Sequence, residues 1–188
     1  MRVTITSEQI QAAFDAVKDD PSFDESRALW ELGRPPTEMI QAMCLRPEIL
    51  RGFGGFGHSV YPGGLLERRV KELVIIAAST ANDCQFCRDS HSHLVELTEI
   101  VRSPLQAIDE PGSLAVRERL AVAYTRAAMR DSTAMPESLM KQLRDLFTDP
   151  ELVELTFLIG YINMLNLFNN CLQVRYNGEY SLLQPVER

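Results

Sequence analysis

A chain of 188 residues, 45% of them hydrophobic, is long enough to bury a core within one domain without disulfide staples. Its formal net charge of -7, with acidic and basic residues interspersed, argues against a nucleic-acid partner or an anionic membrane surface. Four cysteines are too few for a secreted disulfide scaffold, and the start, MRVTITSEQIQAAFDAVKDD, lacks the pattern of an export signal, so a cytoplasmic location is expected.

Helical periodicity dominates, and no window sustains the two-residue alternation of a half-buried sheet, so the expected fold class is all-α. Ser7 can cap a first helix over about Glu8 to Val17, and a second lies near Asp24 to Leu32, ahead of Pro35-Pro36. Residues 1–38 read as an N-terminal arm on a single domain spanning 1–188. Pro36 and Pro47 suit first helical turns, giving helices near Thr37 to Leu45 and Glu48 to Phe56. Gly52, Gly54 and Gly57 satisfy GxGxxG, but no strand precedes them and HSVYPGG follows, which rejects a dinucleotide site and leaves close packing or a bend.

The next helix, about Leu65 to Ala81, places Leu66, Val70, Leu73, Ile76 and Ala77 on one stripe, Glu67, Arg68 and Lys71 on the other side, and Glu72 at the stripe's edge. Asn82 or Asp83 can cap the following helix, Cys84 to about Val101. Ser103-Pro104 opens a short piece that Pro111-Gly112 ends; Ser113 caps Leu114 to Met129, and Pro136 opens a helix to about Phe147. The last helix, Glu151 to about Val174, is apolar enough to raise a membrane span. Asn163, Asn166, Asn169 and Asn170 argue against one, because their amides need partners that hydrocarbon lacks. A core helix or oligomer interface fits better, with the amides bonding a neighbouring helix or the loop before Cys84. Cys44 and Cys171 read as core thiols, and the tail from Arg175 as irregular.

The chemistry concentrates between Lys71 and His91, KELVIIAASTANDCQFCRDSH. At a helix start, unpaired backbone N–H groups and the macrodipole favour a Cys84 thiolate, and Cys87 lies one turn further on the same face, close enough for dithiol–disulfide exchange. His91, four residues beyond Cys87, can pass a proton to either sulfur, and Phe86 and Leu94 can wall the site. Glu72 sits on the preceding helix, where it is either a proton acceptor or a solvated charge. The rival chemistry is zinc bound by Cys84, Cys87, His91 and His93. His93 is rotated away from His91, and no second CxxC completes the ligand set.

Glu72, Cys84 twelve residues on, the CxxC closed by Cys87, and His91 four residues later together resemble the signature of the alkylhydroperoxidase D-like (AhpD-like) proteins of the carboxymuconolactone decarboxylase superfamily. The segments RRVKELVIIAAS and DPELVELTFLIGYINMLNLFNN are similar to the family's helical unit, so the resemblance covers about Met39 to Val174. It implies an AhpD-like bundle with the CxxC at the N-terminus of a central helix, and an antioxidant thiol peroxidase acting on alkyl hydroperoxides or hydrogen peroxide without haem, flavin or metal. The second cysteine, here Cys87, would become the sulfenic acid, while Cys84 donates a proton and then resolves, with Glu72 and His91 as the proton relay. The helix-start argument instead makes Cys84 the more acidic thiol.

The resemblance further implies recycling of the Cys84–Cys87 disulfide by a dithiol donor, a protein thiol or lipoyl group. An alternative is a protein or lipoyl disulfide reductase, or redox adaptor, with little peroxidase activity. Phe86 stands where some members carry a His, and Asn169-Asn170 where many have Asn-Arg. Lactone decarboxylases generally lack the CxxC, so its presence points away from acid–base lactone chemistry by Glu72 and His91. Relatives usually form trimers or hexamers, so a homo-oligomer is expected, with the final helix suited to the interface.

Overall fold

The computed structural model describes residues 1–183, and every regular element among them is helical, as expected. In chain order the helices are α1 (Ser7–Phe14), α2 (Asp24–Glu31), α3 (Glu38–Cys44), α4 (Pro47–Val60), α5 (Arg68–Ala81), α6 (Gln85–Leu97), α7 (Pro104–Asp109), α8 (Val116–Arg130), α9 (Glu137–Arg144) and α10 (Asp149–Leu172). Short 3-10 turns fill Pro21–Phe23, Pro111–Ser113 and Glu179–Leu182. Boundaries move where another cap wins. Thr6, not Ser7, caps α1, because its hydroxyl accepts from the Gln9 N–H while the Gln9 side chain accepts from the Thr6 N–H. Glu118 accepts from the Ala115 N–H at 3.1 Å, so α8 begins at Val116 and Ser113 stays in the preceding turn.

Helix α5 is the hub. Every residue from Val70 to Ser79 is buried, because α6, α8 and α10 pack around it. Val70, Val74, Ile75 and Ala78 join one apolar cluster, while Leu73, Ile76 and Ala77 join a second with Val95, Ile108 and Val122. The single stripe read from periodicity is therefore too narrow, and α5 is enclosed on all sides. Each fully buried Leu, Ile or Val on it contributes about 1.5–3 kcal/mol through removal from water.

The first 38 residues belong to this core rather than standing off as an arm. Phe14, Phe23 and Leu29 are almost completely buried, and Phe14 meets Phe23 and Trp30 edge-on. Helix α4 continues through the glycines to Val60, four residues beyond its expected end. A Cβ at Gly54 would stand 2.8 Å from Phe23 Cε2, and one at Gly57 would stand 2.9 Å from the Tyr161 hydroxyl. Close packing thus explains these two glycines.

Lys71 corrects the sequence reading outright: expected on the polar side of α5, it is fully buried. Its Nζ meets Glu154 Oε1 of α10 at 2.6 Å and donates to the carbonyls of Val60, at 2.9 Å, and Gly63. Glu154 also accepts from the backbone N–H groups of Leu65, at 2.5 Å, and Leu66, at 3.1 Å. One ion pair therefore satisfies the turned segment between α4 and α5 and clips it to α10. Breaking a buried pair leaves an uncompensated charge. Lys71→Met and Glu154→Leu are each expected to lower stability by about 3 kcal/mol, with the double variant losing less than the sum. Urea denaturation of the three variants checks this; additive losses would show that the two side chains act independently.

Candidate active site

The CxxC occupies the turn between α5 and α6, and α10 fixes that turn. Asp83 takes a left-handed backbone with φ 50 and points its carboxylate into solvent, so it does not cap α6. Asn82 does not cap it either, because its Nδ2 donates to Asn163 Oδ1 at 2.7 Å and Asn166 Oδ1 at 3.0 Å, while its carbonyl accepts from Asn170 Nδ2 at 2.9 Å. Asn166 Nδ2 in turn donates to Ser79 Oγ at 3.1 Å. With both expected caps spent, Cys84 takes the N-cap position, its own N–H donating to the Ser79 carbonyl at 2.9 Å. The amides of α10 bond the turn before Cys84, as their spacing suggested.

Cys84 and Cys87 lie beside each other as free thiols, 0% and 2% exposed. A hydrogen bond from the Cys87 thiol lowers Cys84 to about 7 against the opposing effect of burial; the Cys87 backbone N–H and the Asn166 and Asn169 amides add to the lowering. Cys87 moves well above the ordinary thiol range, because its proton is engaged by Cys84 and because it is buried. The pair thus shares one proton, held on Cys87 with the charge on Cys84. Asn169 Nδ2 donates to Cys87 Sγ at 3.1 Å. Cys44 is buried, and burial pushes its thiol up to about 11, whereas Cys171 is exposed on α10 and is not the core thiol expected.

Glu72 is fully buried, not a solvated charge. Its Oε2 accepts from His91 Nδ1 at 2.7 Å, and its Oε1 accepts from the Tyr61 hydroxyl at 2.7 Å and from Arg68 Nε at 2.5 Å. Arg68 donates to the Tyr61 hydroxyl as well, and its guanidinium stacks 4.3 Å from the centre of that ring. Burial works against the ionised carboxyl, yet the His91 contact, Arg68 and Tyr61 outweigh it and hold Glu72 below the usual carboxylate range. With Nδ1 committed to Glu72, Nε2 is the His91 nitrogen left for chemistry.

His91 and Tyr61 line an enclosed cavity of about 90 Å³, walled by Met39, Phe53, Ile75 and Leu94 among others. Met39 Sδ also lies 3.5 Å from Asn169 Nδ2, so Met39 and Asn169 link the cavity wall to Cys87. Leu94 serves as the expected apolar wall; Phe86 instead meets the ring of Tyr176. His93 hydrogen-bonds the Tyr176 hydroxyl at 2.6 Å, away from His91, and among the described residues no three His, Cys, Asp or Glu side chains converge as a metal site.

The structure therefore brings Glu72 and His91 into contact and sets Cys84 beside Cys87, with His91 one helical turn beyond Cys87. Sequence reasoning missed Tyr61, Arg68 and the distinct position of Asn169. Arg68 and Glu72 stand four apart on one helix, which was the available signal; nothing in HSVYPGG marks Tyr61.

Residues 47–139 match the carboxymuconolactone decarboxylase family. The fold is similar to an AhpD-core, uncharacterized peroxidase-related protein from Ralstonia eutropha JMP134, with a TM-score of 0.79 and 19% identity, over 100% of this chain and 97% of that one. A peroxidase-related protein from Silicibacter sp. TM1040 gives 0.70 and 22%, covering 95% and 97%. The debrominase Bmp8, as a Cys-to-Ala variant in complex with 2,3,4-tribromopyrrole, gives 0.74 and 18%, covering 97% and 94%. No protein of curated function matches.

The ultraviolet absorbance of the reduced protein is expected to show one thiolate forming near pH 7, absent from Cys84→Ser, and a second only at far higher pH. Because the folded value lies below that of a free thiol, about 8.5, this thiolate stabilises the fold fully above that ordinary value. Its contribution is lost as pH falls through about 7. Two thiols titrating together in the ordinary range would refute the shared-proton arrangement.

Proposed function

We propose that the protein is a thiol peroxidase reducing hydrogen peroxide or small organic hydroperoxides with the Cys84–Cys87 pair. The observation that carries this is a fully buried dithiol beside a cavity lined by a His91 that Glu72 holds in place. Moving the Cys87 proton to Cys84 frees the Cys87 thiolate, which the family resemblance makes the attacking sulfur. Its attack on the peroxide forms an S–O bond and breaks O–O, and the departing alkoxide takes the Cys84 proton as an alcohol. Cys84 thiolate then attacks Cys87, and the hydroxide leaves as water with a proton relayed by His91 and Glu72. A dithiol donor returns the disulfide to two thiols.

Burial favours this reading over that of a protein disulfide reductase, because a peroxide fits where a folded partner's disulfide does not reach. It also favours a slender donor, such as a lipoyl group, over a protein thiol. A chemistry that needs reduced thiols supports a cytoplasmic location. A second reading follows from the likeness to a debrominase. Phe53, Tyr61 and Tyr161 give the cavity aromatic walls suited to a flat halogenated ring. The same dithiol supplies the two electrons that replace carbon–bromine by carbon–hydrogen, releasing bromide and ending as the same disulfide.

Cys84→Ser and Cys87→Ser are each expected to abolish peroxide reduction, and Glu72→Gln to slow it by about 10²-fold. Coupled assays of peroxide loss, with mass spectrometry of a Cys84–Cys87 disulfide, check this. Peroxide loss at the parent rate in the cysteine variants overturns the proposal, and bromide release from a bromopyrrole without peroxide turnover selects the second reading.

The outer face of α10 supports assembly with further copies. Val153, Phe157, Met164 and Leu167 are all more than half exposed, and with Gly160 and Cys171 they follow a four-three spacing that suits helix-to-helix packing. A second copy offers the same seam, and a ring of three or six copies buries it. Phe157→Glu with Leu167→Glu is expected to leave a folded monomer in analytical ultracentrifugation; a monomeric parent overturns the interface.

A further inference from the structure

Four asparagines line one side of α10, and three of them are accounted for: Asn163, Asn166 and Asn170 spend their amides on Asn82 and Ser79. Asn169 differs. It is 1% exposed, its Nδ2 sits 3.1 Å from Cys87 Sγ, and its Oδ1 has no hydrogen-bond partner among the described residues. A buried amide oxygen without a donor is unfavourable, and such a group in a folded protein calls for an explanation. Among the described residues the resting site offers that oxygen no donor. A Cys87 sulfenic acid does, because its new hydroxyl stands one bond from the sulfur that Asn169 already touches.

We propose that Asn169 is a catalytic residue of the dithiol: its amide N–H steadies the Cys87 thiolate while the proton sits on Cys84, and its Oδ1 accepts from the hydroxyl of the Cys87 sulfenic acid. The second role rests on the peroxidase reading; the first does not. In chemical terms, Cys87 sulfur loses two electrons to the O–O bond and gains an oxygen, and the proton on that oxygen finds the one unspent acceptor of the amide. Donor and acceptor are in place before reaction, which is how a site favours a transient species over the resting one. Asn169 then holds the sulfenic hydroxyl until Cys84 thiolate displaces it.

The test uses full-length Cys84→Ser protein, where Cys87 is the only member of the pair, with and without Asn169→Leu, and with Asn169→Asp as a second variant of nearly the same shape. Cys87 alkylation by iodoacetamide, located by mass spectrometry and followed against pH, reads the first role without any peroxide. Loss of the N–H donor is expected to move its midpoint upward by about one unit, tenfold slower alkylation at a given pH. Asn169→Asp, which adds a negative charge, is expected to move it further. An unchanged profile in both variants overturns the first role.

For the second role, the same proteins are treated with several equivalents of cumene hydroperoxide, enough for a second oxidation of the same sulfur, and the Cys87 sulfenic acid is trapped with dimedone. Asn169→Leu is expected to shorten its lifetime and raise the yield of sulfinic acid several-fold. Equal lifetimes overturn the second role. If Asn169 intact protein gives no trapped sulfenic acid, the peroxidase reading fails and takes the second role with it, while the alkylation profile still decides the first.

Discussion

Removing a carboxylate from water is the constraint around which this site is built. An isolated buried charge of that kind is so unfavourable that it would simply take up a proton. Glu72 stays ionised because Tyr61, Arg68 and His91 all donate to it. Each donor comes from a different place: Tyr61 from the end of α4, Arg68 from one turn earlier on α5, and His91 from α6. The carboxylate thereby fixes the mutual placement of three helices and also the tautomer of the histidine. The geometry of the candidate site and the local folding are the same set of hydrogen bonds.

The thiols obey a parallel rule one turn earlier on α6. Their charge is supported by amides projected from α10, which also grip the turn that precedes them. Helix α5 joins the two halves, since it carries Glu72 and ends at the clamped Asn82. A central helix buried all round cannot rotate without disturbing both apolar clusters, and it therefore sets the carboxylate and the thiols at a constant separation.

Much of this was legible in the sequence. The helical class, the CxxC at a helix start and the role of the α10 amides followed from spacing, because periodicity and turn chemistry are local properties. What escaped depended on long-range pairing. Lys71 reads as a surface charge until Glu154, 83 positions later, is seen to meet it. Arg68 belongs on the same polar face by pattern, and only the packing of α4 turns it toward Tyr61 and Glu72. Cys171 was misread in the opposite sense, since an apolar sequence context does not reveal which side of a long helix faces outward. The same limit hid the aromatic packing that ties the first 38 residues into the core.

The two interior ion pairs have an effect far from themselves. Lys71 cancels Glu154 and Arg68 cancels Glu72, so the buried network is neutral and the whole formal charge of -7 is displayed outside. The surface therefore carries a net anionic field that reaches roughly a Debye length, about 8 Å at physiological salt. Neutral molecules approach the cavity without hindrance, whereas carboxylated or phosphorylated ones are repelled before any pocket contact is made. The exterior sorts the molecules that approach the cavity by their charge, and ionic strength sets how strictly it does so.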